Sequence, residues 1–584
     1  MVGKESGGII GSVIEVNSEK ITIEINSSLR NYSFVHNGLL YRIGQIGSFI
    51  KIISGLSIVF GIVESFSTFM QKDDQYLDKK ILIAVLIGYK DATGDFKKGS
   101  KITPSINDNV YVIDKEDIEV IFKSNVPFPV QVGCNFYDED LPVRVDLNEL
   151  VLKHSFIVGS TGSGKSNTTS YILENIISNY KSSRILIIDV HGEYMDYLKG
   201  NAVEYSVYDK TNKLVVPYWM LNFETLCKIF GINCDVNYIS TITEEFRDMI
   251  LKMKKDYISK SKLSEIVDIN EVDINSPIPF NIKKIWYDFY SRGYGTYNTA
   301  TREYNDYVYK KDKEGDPLKG DAERMVKPQF EPHTIGGKAP YKSTEINFRS
   351  VADSMFKILK NDNFNFMFGD NNLRTVEDIN GLIISWIDNS NQITILNLSG
   401  IPYQVLDIVI GIIVDLTFDT IYYSIKVKNK YEGRPILICL EEAHRYLNSK
   451  SNSYSEKSVE RVMKEGRKFG VGAMIISQRP SEISNTIISQ VSTYIALRLT
   501  NTEDQAKIVS FAPNNFSIFL KSLSSLGTGE AFVVGESLRI PMKVKIPLLE
   551  SVKNIEFDKR IGIWKEKRAH VPDYSRTIEG WIQK

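Results

Sequence analysis

Hydrophobic and polar positions alternate through the first 120 residues. Ile21, Ile23 and Ile25 interleave with Thr22, Glu24 and Asn26, so one face of an extended strand is apolar. Further candidate strands lie at 8–16, 47–53, 58–65, 81–89 and 109–113, separated by clusters of Gly, Asn, Asp or Lys. Short strands at such close spacing predict a small barrel or sandwich over 1–120, with oligomerisation or docking as its neutral role. Residues 121–150 carry Pro127, Pro129, Gly133 and Pro142 and read as a linker. The pattern then becomes α/β. Apolar runs at 156–158, 184–190, 393–398, 435–440, 471–476, 493–499 and 530–534 read as buried strands. Ile172, Leu173, Ile176, Ile177 and Tyr180 recur at helical spacing after the first of them.

The α/β unit is divided into 151–215 and 386–550 by a segment of different texture. Within 216–385, residues 244–262 are helical and charged, 356–368 are apolar, and 285–342 are dense in Tyr, Lys, Asp and Gly without a period. This predicts a mostly helical insertion. Tyr294, Tyr297, Tyr304, Tyr307, Tyr309, Lys310 and Lys311 either line a nucleic-acid path or form a solvated, partner-facing surface; both readings stay open. Residues 551–584, with Trp564 and Trp581, form an arm expected to pack on something.

Composition narrows this little. With 584 residues, 42% hydrophobic and 24% charged, the chain has ample core for several domains. The net charge of −1 means that any nucleic-acid contact comes from a local basic surface. Cys134, Cys227, Cys234 and Cys439 form no C-x-x-C pair and are expected as separate thiols. No apolar run reaches the roughly 18 residues of a membrane span, and a soluble, cytoplasmic protein is expected.

The chemistry begins at Gly159-Ser160-Thr161-Gly162-Ser163-Gly164-Lys165-Ser166, which fits the phosphate-loop pattern G-x-x-x-x-G-K-[ST] between a strand and a helix. The glycines let backbone N–H groups face a phosphate chain, Lys165 reaches the β- and γ-phosphates, and the Ser166 hydroxyl suits Mg²⁺. These residues predict ATP and Mg²⁺ as cofactors. Asp189, at the end of an apolar strand, and Glu193 either face the nucleotide or start a turn. The strand at 435–440 ends in Glu441-Glu442. An acidic pair there assigns Glu441 to the metal and Glu442 to general-base duty. Gln478 follows the strand at 471–476 and is placed to sense the γ-phosphate. Arg461, Arg467 and Lys468, on a basic helix, are candidates for a cation acting from a neighbouring subunit, or else a solvated face.

The sequence as a whole resembles the HerA family of hexameric DNA translocases within the phosphate-loop ATPases. The resemblance rests on HSFIVGSTGSGKSNT (154–168), DVHGEY (189–194), PYWML (217–221), EEAHRYL (441–447), EGRKFGVG (465–472), SQRPSEIS (477–484), RLTNTEDQ (498–505) and GTGEAFVVG (527–535), in family order. It implies a RecA-like core preceded by a barrel and followed by a bracing arm, a homo-hexameric ring, and ATP sites between subunits. Residues 159–166 with Asn167, Asp189 and Glu193 would surround the nucleotide. Gln478 would be the sensor and Arg467 the trans-acting arginine, with Arg461 in reserve. It further implies double-stranded DNA in the pore and an effector on the barrel face, a nuclease or a sirtuin-like NAD-hydrolase, in DNA end processing or antiphage defence. A ring scaffold that regulates such an effector is the alternative. Val190 stands where proline commonly follows the aspartate, and the insertion matches nothing beyond PYWML.

Overall fold

A computed structural model describes residues 8–17, 20–26, 33–36, 39–55, 57–69, 79–91, 93–99, 101–122, 126–136, 139–233, 241–298, 306–334, 339–343, 345–369, 375–426, 434–448, 453–511 and 522–553, together with Ser575 and Ile578. Trp564, Trp581 and nearly all of the expected arm lie outside the described residues, as do Tyr304 and Cys234.

The alternating N-terminal strands close into a barrel. Their seven-stranded antiparallel sheet runs Lys20–Ile25, Ile9–Val16, Asn109–Val112, Phe49–Ser54, Ser57–Phe69, Lys79–Lys90, Phe96–Lys98. Lys20–Ile25 also pairs with Lys79–Lys90, which closes a ring of six strands and leaves the short Phe96–Lys98 on its outside. Inward positions such as Val13, Ile23, Ile52 and Leu82 form the barrel's own core. Phe60, Ile62, Ile87 and Phe96 instead belong to the large core of the α/β unit, which seats the barrel on it.

That unit is built on an 11-stranded sheet. Its parallel part runs Thr493–Leu497, Ser155–Val158, Val471–Ser477, Ile436–Leu440, Ile185–Asp189, Ile393–Asn397, Ala202–Ser206. Most of these strands are buried at every position, which is why they read as unbroken apolar runs. Beyond Thr493–Leu497 the sheet turns antiparallel through Glu530–Gly535 and Met542–Lys545. It continues into Pro129–Asn135 and Pro142–Asp146, inside the segment expected as a linker. Both prolines open their strands at the sheet's end, where a missing N–H is tolerated, so the prolines that suggested a connector mark strand starts.

The insertion is mostly helical, with Phe223–Phe230, Thr241–Lys260, Ile282–Tyr294, Phe348–Leu359 and Val376–Ile387 as its main helices. The Tyr-rich stretch folds back on itself through bridges Tyr309↔Phe330 and Asp321↔Val326. Tyr309 stacks on Phe330 at 5.3 Å, and Tyr294 stacks on Tyr290 at 4.6 Å and donates to Asp353. Each of those half-buried rings thus has one face or its hydroxyl engaged within the fold. Cys227 is disulfide-bonded, contrary to four separate thiols, while Cys134 and Cys439 are free. Among the described residues no helix is long and apolar enough to cross a membrane.

Candidate active site

The phosphate loop leaves the carboxyl end of Ser155–Val158, at the edge where the other parallel strands also end. Register places Val158 beside Ser477 on one side and Ala496 on the other, so strands more than three hundred positions apart in sequence flank the loop. Ser160 N–H and its hydroxyl both donate to Arg498 O, at 2.8 and 2.9 Å, and Gly529 N–H donates to Ser163 O at 3.1 Å. These bonds hold the loop open. Gly162 and Gly164 have φ of 72° and 102°, a region that side chains disfavour. A Cβ on Gly159 would lie 2.4 Å from Ser163 Oγ. The N–H groups of Gly162 and Gly164 make no hydrogen bond among the described residues, and helix Lys165–Asn179 begins immediately after them. Unspent donors at a helix start suit a phosphate chain.

Lys165 lies within this cradle, its Nζ 3.4 Å from Ser160 O. Burial pushes its ammonium pKa down, against the pull of Glu442, Glu441 and Glu193. Ser166 Oγ lies 3.4 Å from Glu193 Oε2. Glu441 is 4% exposed and accepts from Val190 N–H. Burial, reinforced by Asp189, Glu442 and Glu193, raises its carboxyl pKa to about 9. A carboxyl that resists ionisation without a cation nearby fits a metal ligand. Glu442 adopts a left-handed backbone, φ 48° and ψ 43°, and is 3% exposed. Its Oε1 accepts from Gln478 Nε2. Oε2 lies 3.2 Å from His444 Nδ1 but has no aligned hydrogen bond among the described residues. Gln478 Oε1 in turn accepts from Thr161 Oγ1 at 2.5 Å, so it joins the loop to the acidic pair. The donor set and the unspent Glu442 oxygen fit a nucleotide with Mg²⁺.

Other expected residues are placed differently. Both Asp189 oxygens are taken by backbone N–H groups, of His191 and Gly192 on one side and Tyr194 on the other. It therefore takes the turn-forming of its two readings and shapes the 190–194 loop. Asn167 turns its side chain away from the cradle, donating to Pro547 O at 3.0 Å and accepting from Leu549 N–H at 3.0 Å. Arg461 is held by Asp419 at 2.9 Å and stacks on Phe418. Arg467 is exposed and has no ion pair among the described residues. It precedes strand Val471–Ser477, which puts it about 20 Å from its own loop by strand rise. His191 was not anticipated. Its ring, with Glu441 and Glu442, places ligand atoms within 4.8 Å of one another. DVHGEY held the signal, read only for its carboxylates.

Comparison with known proteins settles the family. The profile described as the helicase HerA central domain matches residues 130–417, and the HerA-like C-terminal profile matches 430–551. The chain belongs to the HerA family. It is a phosphate-loop ATPase of the helicase type. The HerA match begins at strand Pro129–Asn135, where the structure also begins the core sheet. Among its relatives, "Probable helicase MJECL08" of Methanocaldococcus jannaschii is 26% identical over 451 residues, 77% of this chain and 75% of the relative. The "DNA double-strand break repair helicase HerA" of Sulfurisphaera tokodaii is 23% identical over 489 residues, 82% and 80% respectively. Among solved structures, VirB4 of Thermoanaerobacter pseudethanolicus aligns at 12% identity and TM-score 0.44, over 72% of this chain and 97% of that one.

Proposed function

We propose that this HerA-family ATPase forms a six-membered ring that moves double-stranded DNA through its pore, and that it works with an effector. One observation carries the reading. Lys165, Ser166, Glu441, Glu442 and Gln478 surround one cradle, while the exposed Arg467 precedes strand Val471–Ser477, at the opposite end from that cradle and out of reach of it.

Lys165 holds the β- and γ-phosphates, and the N–H groups of Gly162, Gly164 and the helix start at 165–166 bind the remaining oxygens. Ser166 and Glu441, with Glu193 facing them, would hold Mg²⁺, which when bound neutralises charge on those oxygens. Glu442 accepts a proton from the attacking water through its unspent oxygen. Gln478 touches both this base and the loop, so a change at the γ-phosphate is passed to the strand end at Ser477. Arg467 of the neighbouring subunit supplies positive charge to the transition state. The effector, a nuclease or NAD-hydrolase, docks on the barrel, where Ile14, Ile46 and Ile53 are exposed. The DNA reading draws support from the named activity of the relatives.

The Glu442–Gln478 bond favours a second reading, a ring scaffold with restrained turnover that regulates its effector. ATP hydrolysis with and without linear duplex DNA, beside Glu442→Gln as a blank, separates the two. DNA stimulation that falls with salt supports the motor; slow, DNA-indifferent turnover overturns it in favour of the scaffold.

A further inference from the structure

Away from the phosphate loop, the helical insertion carries an open cleft of about 510 Å³, a volume typical of small-molecule sites. Its walls come from five separate segments: Tyr218 and Trp219, the end of helix Thr241–Lys260, the start of helix Ile282–Tyr294, Glu323, and Phe368 with Gly369. The floor is aromatic. Trp219 and Phe280 are 3% and 7% exposed, and Tyr257 is half-buried beside them. Beneath Phe280 the buried Lys254 donates to Ile274 O at 2.6 Å and Ser276 O at 2.7 Å, which braces the floor from below.

The rim is charged and largely unspent. Lys260, Lys284 and Asp256 are exposed, and none of their side chains has an ion pair or hydrogen bond among the described residues. Glu323, also on the rim, is occupied by Asn281 Nδ2 at 2.6 Å.

We propose that this cleft binds a ribonucleoside phosphate, as a site separate from the phosphate loop. A flat heterocycle stacks on the half-buried ring of Tyr257, with the buried Trp219 and Phe280 behind it as apolar backing. Two lysines match the charge of a phosphate, and the Asp256 carboxylate accepts from ribose hydroxyls, the role an acid plays in dinucleotide folds.

The test uses full-length protein carrying Lys165→Ala, so that the phosphate loop does not compete. AMP and dAMP are titrated by equilibrium dialysis, with tryptophan fluorescence followed in parallel. AMP is expected to bind at one per chain, with dAMP at least tenfold weaker. Lys260→Glu with Lys284→Glu, both at exposed positions, should weaken AMP at least tenfold. Failure of AMP to bind at millimolar concentration overturns the proposal. So does binding indifferent to the two reversals, or equal affinity for dAMP.

Discussion

Gln478 donates its side-chain amide to Glu442 Oε1 and receives at its other end the Thr161 hydroxyl, 2.5 Å away. One side chain thus touches Glu442, the proposed general base, and the phosphate loop at once. Glu442→Gln removes the proton acceptor and is expected to lower kcat by roughly 10²–10⁴-fold with ATP affinity little changed. Gln478→Ala frees Glu442 while cutting its link to the loop. Basal hydrolysis should persist, and its stimulation by DNA should disappear. Steady-state turnover measured beside ATP binding checks both.

The two arginines on helix Tyr454–Phe469 separate cleanly. Arg467→Ala should reduce kcat by about 10³-fold or more, as expected for a transition-state cation. Mixing Arg467→Ala with Lys165→Ala chains should restore activity at roughly a quarter of random interfaces, where an intact loop meets an intact arginine. No restoration would mean that Arg467 does not act across subunits. Arg461→Ala, losing a half-exposed ion pair and a ring contact, should cost about 1 kcal/mol of stability and leave kcat alone.

His154 supplies a pH dependence. Its Nε2 donates to Met463 O at 3.0 Å and its Nδ1 accepts from Ala473 N–H at 3.1 Å, so the folded state requires the neutral ring. Burial lowers its pKa to about 4 from 6.5. Between those values the unfolded chain binds a proton that the folded chain refuses. Stability from this group is therefore full above pH 6.5 and is lost as pH falls toward 4, by about 3 kcal/mol. In His154→Asn, which tolerates the local φ of 58°, the fall of Tm over that window should be shallower than in the wild type.

Gly159→Ala tests the cradle. The added methyl would lie 2.4 Å from Ser163 Oγ and 2.9 Å from Leu497 Cβ, so the loop must shift. ATP affinity, read by titration, should fall at least tenfold, on the order of 1.4 kcal/mol.

What was legible in the sequence was local. The loop glycines, the apolar strands ending in Asp189 and in Glu441-Glu442, and the alternation at Ile21, Ile23 and Ile25 each declare themselves within a few residues. What was hidden depends on neighbours distant in sequence. The pairing of Val158 with Ser477 sets Thr161 beside Gln478. The turn at Asp189 consumes a carboxylate that spacing alone left available. Pro129 and Pro142 read as punctuation, because nothing local reveals that Met542–Lys545 waits to pair there. The ring stacking of Tyr309 likewise depends on Phe330, across a reversal that no periodicity marks.

Asn167 clasps Pro547 and Leu549, and Ser551 Oγ donates to Tyr197 O close by. The segment from Pro547 to Ser551 is therefore tied to the first turn of the helix that follows the phosphate loop and to the Tyr197 backbone. Asn167 is next to Ser166 and two residues from Lys165, so a shift of the clasp arrives directly at both. A displacement of the segment at Pro547–Leu549 is thus transmitted to the phosphate loop through one asparagine side chain, which couples that segment to the grip on nucleotide.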